Sequence, residues 1–245
     1  MKRDISIIDL TAEKSLVIAC DSSGGIGAKK GDQVSVPGEV VGRLGARVAL
    51  MEVLAVRATP VSVVNTLSVE YDPSGREIIS GIKQEISNLG LDADEILNGS
   101  TEENIPTSET GLGITVIALV DTSDLVISNS RAGDVLVAVG LPRVGDEVLK
   151  SEEEIADLED MQNLLSLSYI YDILPVGSKG VKYEAELLAD INNLNLSLSE
   201  VEFDLHKSAG PATVLLATLP KNRLNDLKKK IDKTINLIAH FYSIK

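Results

Sequence analysis

The sequence predicts a mixed α/β fold in two unequal lobes, and two observations carry that expectation. Short apolar runs rich in β-branched residues alternate with longer stretches at helical apolar spacing along the 245 residues. The best boundary between lobes falls around residues 128–133, ahead of AGDVLVAVG, which divides the chain into 1–130 and 131–245.

The elements follow in order. LVIAC (16–20) reads as a buried strand that runs into a glycine-rich turn, DSSGGIGAKKGD. From Pro37 to Arg57 the chain is apolar on most of a helix circumference, with Pro37 suited to the start and Pro60 to the stop, which predicts a central buried helix. Residues 61–69 read as a strand. Asp72-Pro73 then opens a helix carrying Ile78, Ile79, Ile82, Ile86 and Leu89, closed by Gly90. Strands are expected at 112–120 and 135–139, and Ser151 with Glu154 reads as a capping box opening a helix to about Leu165. Strands near 200–205 and at 212–218 precede a last helix after Pro220 bearing Arg223, Lys228, Lys229, Lys230 and Lys233.

Composition excludes several function classes. Lys+Arg 23 against Asp+Glu 37 gives a net charge of −14, which argues against a nucleic-acid or anionic-membrane surface. Two Phe, five Tyr and no Trp leave little for base stacking. The single cysteine, Cys20, excludes an intramolecular disulfide and a Cys-based zinc site. No apolar run reaches the ~18 residues of a membrane span, and MKRDISIIDL has no cleavable signal pattern, so a cytoplasmic location is expected. His206 and His240 lack a triad-like context.

Three segments carry chemistry. In DSSGGIGAKK (21–30), glycines let backbone N–H groups approach phosphate oxygens and a lysine adds a mobile positive charge; a tight hairpin loop is the plainer alternative. Glu52 lies in an apolar stripe with Val41, Leu44, Val48 and Ala55, so its carboxylate needs a partner, either a metal ion or Arg47 or Arg57. NGSTEENIPTSETG (98–111) places Glu102, Glu103 and Glu109 among hydroxyls, as a hard cation requires, or forms a solvated acidic loop. DILPVGSKG (172–180) is a further glycine-flanked turn with a central Lys179 that either faces a ligand or joins a strand to the helix near 183–189.

Taken together and in this order, the segments resemble the aminoimidazole-ribonucleotide (AIR) synthetase-like superfamily, an ATP-binding group that includes thiamine-phosphate kinases. LVIACDSSGGIGAKKGD resembles the strand and nucleotide loop, EVVGRLGARVALMEVLAVRATP the following helix, NGSTEENIP the Gly-Gly-acidic-Thr loop, and RAGDVLVAVG the strand opening the second domain. The resemblance implies a two-domain AIR synthase-like fold: an N-terminal mixed sheet/barrel half with packed helices, and a smaller C-terminal α/β domain. It implies that Asp21, Gly25, Gly27, Lys29 and Thr101 bind ATP, and that Asp21, Glu52 and Glu102 or Glu103 bind Mg²⁺. It also implies a homodimer acting on a small-molecule substrate.

Departures from the superfamily pattern are the missing paired-Asp motif of thiamine-phosphate kinases, the absence of a cysteine in the glycine loop, and Lys179 where relatives often place an Asp. Within the superfamily, ILPVGSKG and AGPAT are most similar to the alpha-ribazole kinases, which phosphorylate a nucleoside 5′-hydroxyl. The resemblance therefore implies an Mg-ATP-dependent kinase. The alternatives are another ATP-dependent enzyme of the superfamily or an inactive nucleotide-binding scaffold. No residue is assigned as a general base.

Overall fold

The computed structural model describes residues 3–244; Met1, Lys2 and Lys245 lie outside the described residues. The chain divides into two compact units, one built from Asp4–Leu54 and Ala58–Ser123, the other from Arg3, Ala55–Arg57 and the residues from Asp124 onward. No helix is long and apolar enough to cross a membrane among the described residues.

The first unit contains β1 (Ile5–Asp9), β2 (Lys14–Gly24), β3 (Ile26–Gly27), β4 (Val34–Ser35), α1 (Gly38–Ala55), β5 (Thr59–Leu67), α2 (Arg76–Ser87), α3 (Ala93–Ile96), β6 (Leu97–Thr101) and β7 (Gly111–Asp121). Its main sheet has the order β1-β2-β7-β5-β6, parallel only between β5 and β6, while β3 and β4 form a small parallel ribbon. Strict alternation puts Ser15, Val17 and Ala19 of β2 on a buried face with Leu112, Ile114 and Val116 of β7. Helix α1 lies on that face: a Cβ at Gly45 would come within 2.5 Å of Leu112. The two long helices also touch backbone to backbone. A Cβ at Gly42 would sit 1.9 Å from the Ile78 carbonyl oxygen, and one at Gly81 2.0 Å from that of Glu39, so only glycine permits this crossing. Across the same crossing Arg47 Nε donates to Glu85 at 2.7 Å, both side chains buried. Thus Glu85, the acidic residue in the apolar stripe of α2, is neutralised by an arginine of α1.

The expected α1 appears nearly as read, but Pro60 does not end it. The helix stops at Ala55, Arg57 adopts φ 67, and Pro60 enters β5 beside a register shift, a position where a strand tolerates a residue without an N–H.

The second unit contains β8 (Asp134–Val139), α4 (Asp146–Lys150), α5 (Leu158–Ser166), β9 (Ile173–Pro175), α6 (Gly180–Ile191), β10 (Leu194–Leu198), β11 (Leu215–Pro220), α7 (Leu224–Leu227) and β12 (Ile235–Ser243). The antiparallel sheet has the order β10-β12-β8-β11-β9. Every residue of β8 is buried, the mark of a central strand covered on both faces. Val181, Ala185 and Leu188 of α6 cluster with Leu136, Leu216 and Phe241 of the sheet.

Three sequence expectations fail in this unit for identifiable reasons. Ser151 makes no side-chain cap, and Glu152–Glu154 is a single 3₁₀ turn. The capping box sits six residues later, where the Asp157 carboxylate accepts from the Glu159 and Asp160 N–H groups and Asp160 returns a bond to the Asp157 N–H. No strand forms at 200–205; the preceding β10 pairs with β12 instead. The lysine-rich C-terminal segment forms a 3₁₀ turn at Lys221–Arg223 and an α-helix only over Leu224–Leu227; after an irregular stretch it becomes β12, whose bulge between Leu237 and Ala239 breaks the alternation that would have marked a strand.

Asp160 gives a pH-dependent prediction. Burial, with the neighbouring Asp157 charge, pushes its carboxyl up to about 7. The native state therefore binds a proton more tightly than the unfolded chain between about pH 4 and pH 7, and stability falls as pH rises through that window. Asp160→Asn keeps an acceptor for the Asp157 N–H and removes the charge. We expect it to be about 1–2 kcal/mol more stable than wild type at pH 8 and to lose that advantage at pH 5. Urea denaturation at the two pH values reads this directly, and equal differences at both would refute it.

Candidate functional site

The glycine-rich segment that follows β2 folds back on itself. Gly25 at φ 69 turns the chain, its N–H donating to the Thr110 carbonyl (2.9 Å) while its own carbonyl accepts from Gln33 N–H (2.7 Å). At Gly27 a Cβ would come within 2.3 Å of Thr110 Oγ1, so a larger residue would push the loop off β7. Asp32 locks the turn, its carboxylate accepting from Lys29 N–H (2.8 Å), Thr110 N–H (2.7 Å) and the Thr110 hydroxyl (2.7 Å). Burial opposes ionisation of Asp32, but the Thr110 and Lys29 hydrogen bonds together hold its carboxyl below the usual range.

This turn delivers the Lys29 side chain into a cleft of about 140 Å³ lined by Gly27, Lys29, Gly38, Glu70, Ser74 and Thr110, among others. There Lys29 forms an ion pair with Glu70, whose other oxygen accepts from the Ser74 hydroxyl at 2.6 Å. Lys29, then Ser74, pull the Glu70 carboxyl down to about 2. Glu77, on the first turn of α2, accepts from the Gly38 N–H (3.2 Å) at the start of α1. The cleft is smaller than the ~300–1,000 Å³ of a drug-sized ligand pocket, so it suits one anionic group such as a phosphoryl rather than a whole nucleotide.

The 70–75 turn links this cleft to the third acidic segment. Tyr71 N–H donates to Glu103 (2.7 Å), which also accepts from the Thr101 hydroxyl (2.7 Å), and a Cβ on Gly75 would lie 3.1 Å from Thr101 Cγ2. Glu102 turns away and accepts from the N–H groups of Asn104 (2.7 Å) and Ile105 (3.1 Å); these bonds hold its carboxyl below the usual range. Gly27, Lys29, Thr101 and Glu103 are thereby brought into one neighbourhood.

Asp21 and Glu52 stand elsewhere in the unit. Asp21 lies in a row across the sheet with Ile114, Asn65 and Gly99, on the face that carries the core. Burial raises its carboxyl above the usual range, against a bond from the Ser22 backbone. Asn65, in the same row, is buried with its Oδ1 lacking a hydrogen-bond partner and packed against Gly99. Glu52 is half-buried on α1, fourteen residues beyond the Gly38 that lines the cleft, or about 21 Å along the helix axis. Of the two arginines considered as its partners, Arg47 donates through Nε to Glu85 at 2.7 Å, and Arg57 donates to the carbonyls of Leu165 and Ile170 at 3.5 Å; Glu52 has a polar partner of its own.

Among the described residues no three His, Cys, Asp or Glu side chains converge on a metal-sized point. A Mg²⁺ ion held here would take one or two of these carboxylates and complete its shell from phosphates and water, which is its common habit. The cleft is lined by one ammonium, two hydroxyls and the Glu70 and Glu77 carboxylates; the ammonium and the Ser74 hydroxyl donate to Glu70, and the Thr110 hydroxyl to Asp32. Glu70, Asp32, Ser74 and Thr110 were not read from the sequence. The only local signal was Asp32, three residues after Lys29 at a turn-closing offset.

No family model and no curated protein matches the chain. Solved structures do. Thermotoga maritima PurL complexed with ADP superposes with a TM-score of 0.67 at 16% identity, over 100% of this chain and 42% of that one. Thiamine monophosphate kinase from Aquifex aeolicus gives a TM-score of 0.68 at 16% identity, over 98% of this chain and 89% of that one. AaThiL complexed with AMPPCP and TMP gives 0.67 at 16% identity, over 99% and 85%. The chain thus spans less than half of PurL and most of the thiamine monophosphate kinase. At this level of identity the likeness establishes the fold, which is AIR synthase-like.

Proposed function

We propose that this chain is an Mg-ATP-dependent kinase that transfers a phosphoryl group to a hydroxyl of a small molecule. The observation that carries the reading is Lys29, delivered by a glycine turn into a cleft of phosphoryl size. The similar extent of the thiamine monophosphate kinase, 89% of which this chain covers against 42% of PurL, supports it over a PurL-type reaction. In this reading Lys29 donates to phosphate oxygens and the Ser74 and Thr110 hydroxyls orient them. Of the loop amides, those of Gly25 and Lys29 are already used within the turn, by Thr110 and Asp32. Bound Mg²⁺ would neutralise charge on the phosphates, and Glu103, anchored at the 70–75 turn, is its nearest candidate carboxylate; Glu102 turns away, and Asp21 and Glu52 stand apart from the cleft.

Glu70 is a poor general base, because a carboxyl held at about 2 has little proton affinity at neutral pH. A loose phosphoryl-transfer transition state lessens the need for one. The likeness of residues 173–180 and 209–213 to alpha-ribazole kinases makes alpha-ribazole the acceptor to test. A homodimer belongs to the same reading. The face of the first sheet opposite α1, where Leu16, Ile18, Ile117 and Leu119 are half-exposed, is the surface it would use.

The dispersed carboxylates and the closed Lys29–Glu70 pair favour a second reading, a nucleotide-binding protein without transfer. Incubation with Mg-ATP and alpha-ribazole separates the two. A product heavier by one phosphoryl group, absent without Mg²⁺, is the expected result. Free phosphate instead indicates another ATP-dependent reaction; Mg-ATP binding without transfer discards alpha-ribazole as the acceptor, and neither transfer nor binding overturns the kinase reading.

A further inference from the structure

We infer that Glu70 is a resident counter-ion occupying the phosphate position of the cleft, and that an incoming polyphosphate must displace it from Lys29. The inference rests on the phosphate-binding role proposed above for Lys29 and adds how that site is regulated. Three features of the molecule support it. Lys29 is only 16% exposed and the carboxylate it meets 32%, so the pair sits partly out of water, where an ammonium needs an anionic partner. The same carboxylate takes the Ser74 hydroxyl at 2.6 Å, so it holds two donors that a phosphate oxygen would otherwise use. The other cleft hydroxyl, that of Thr110, is fixed by Asp32. Carboxylate and phosphoryl oxygens are alike in charge and in acceptor geometry, and the two cannot share one lysine without like-charge repulsion.

The exchange also has a mechanical consequence. Glu70 begins the 70–75 turn, and the next residue of that turn, Tyr71, is bonded through its N–H to Glu103, itself bonded to Thr101. Release of the Glu70 carboxylate leaves the backbone of the turn in place, because the Glu70 carbonyl accepts from Gly75 N–H (2.9 Å) and the Val69 carbonyl from Glu102 N–H (2.9 Å), so the side chain can swing out without the 101–103 segment unravelling. Glu70 is a positioning residue in this account: it sets where the Lys29 ammonium waits and does not touch the reacting atoms.

The test is a calorimetric titration of the full chain with inorganic tripolyphosphate, comparing wild type, Glu70→Gln, Lys29→Gln and the double variant. Glu70→Gln is nearly isosteric and can still accept from Ser74, so a purely structural role for Glu70 predicts unchanged or weaker binding. Displacement predicts the opposite: Glu70→Gln binds about tenfold tighter than wild type, and the gain disappears in the double variant. Raised salt should shrink all affinities, because the competing interactions are ionic.

Binding by Glu70→Gln that is equal to or weaker than wild type, with Lys29→Gln still defective, overturns the displacement and leaves the kinase reading intact. Unchanged binding by Lys29→Gln removes Lys29 from phosphate recognition and takes the inference with it. No binding by either wild type or Glu70→Gln overturns it as well. A tighter Glu70→Gln in a protein that transfers no phosphoryl group would keep the counter-ion role and reject the kinase.

Discussion

Asp172→Ala is expected to destabilise the second unit by about 4 kcal/mol or more, enough to leave much of the protein unfolded at 37 °C. The Asp172 side chain is completely buried. Its carboxylate accepts from the backbone N–H groups of Asn129 (2.9 Å) and Ser130 (2.9 Å), from Asn192 Nδ2 (2.9 Å) and from the Ser130 hydroxyl, while its own N–H donates to Thr218 Oγ1 at 2.9 Å. It therefore ties the segment before β8, the end of α6 and β11 to the start of β9. Truncation leaves several donors in the interior with no acceptor, and each such orphan costs about 1–3 kcal/mol. Asp172→Asn should not rescue the fold, because one amide position would present a donor to donors. Ser130→Ala, which removes one of these bonds and leaves the carboxylate with others, should cost only about 1 kcal/mol. Chemical denaturation monitored by circular dichroism decides the matter. A loss below about 1 kcal/mol in Asp172→Ala would show that the network is dispensable.

Lys29→Gln is expected to weaken Mg-ATP binding about 100-fold while leaving the fold intact. A charge-assisted bond to phosphate is worth about 1.5–3 kcal/mol, and its removal also leaves the Glu70 carboxylate beside the incoming anion without a counter-charge. The turn itself does not depend on the side chain. It is held by the Lys29 N–H bond to Asp32 and by Thr110, which the substitution does not touch. A native circular-dichroism spectrum with cooperative melting, together with a large affinity loss, distinguishes a binding role from a structural one; loss of the partly buried pair with Glu70 lowers the melting temperature without unfolding the turn.

The parts of the fold that follow a strong local period were legible. Short apolar or β-branched runs announced β2, β5, β7 and β8, and Ile78, Ile82 and Ile86 at helical spacing announced α2. The edge strands β1 and β6 were not. β1 is largely exposed, and β6 runs through Asn98, Gly99 and Ser100, residues that belong to loops in most contexts and are strand here because β5 offers a free edge. The true capping box at Asp157 was hidden by a better-looking pattern six residues earlier, where Ser151 is held in a non-capping conformation.

The site divides in the same way. Gly27 and Lys29 declare themselves by glycine spacing. Glu70, Ser74 and Thr110 reach the cleft from some forty to eighty residues further along the chain, through pairing of β2 with β7 and β7 with β5, and nothing local to them marks a ligand. Glu52 shows the converse: a carboxylate conspicuous in its helix, yet placed about 21 Å along α1 from the residue of that helix that lines the cleft.

The most direct test of the account is a calorimetric titration of wild type and Lys29→Gln with Mg-ATP under one buffer and salt condition. The account predicts saturable, Mg²⁺-dependent binding by wild type and a loss of about two orders of magnitude in Lys29→Gln, with the native circular-dichroism spectrum retained. Equal binding by the two proteins, or no binding by wild type, would contradict the claim that the glycine turn and its lysine form the nucleotide-phosphate site.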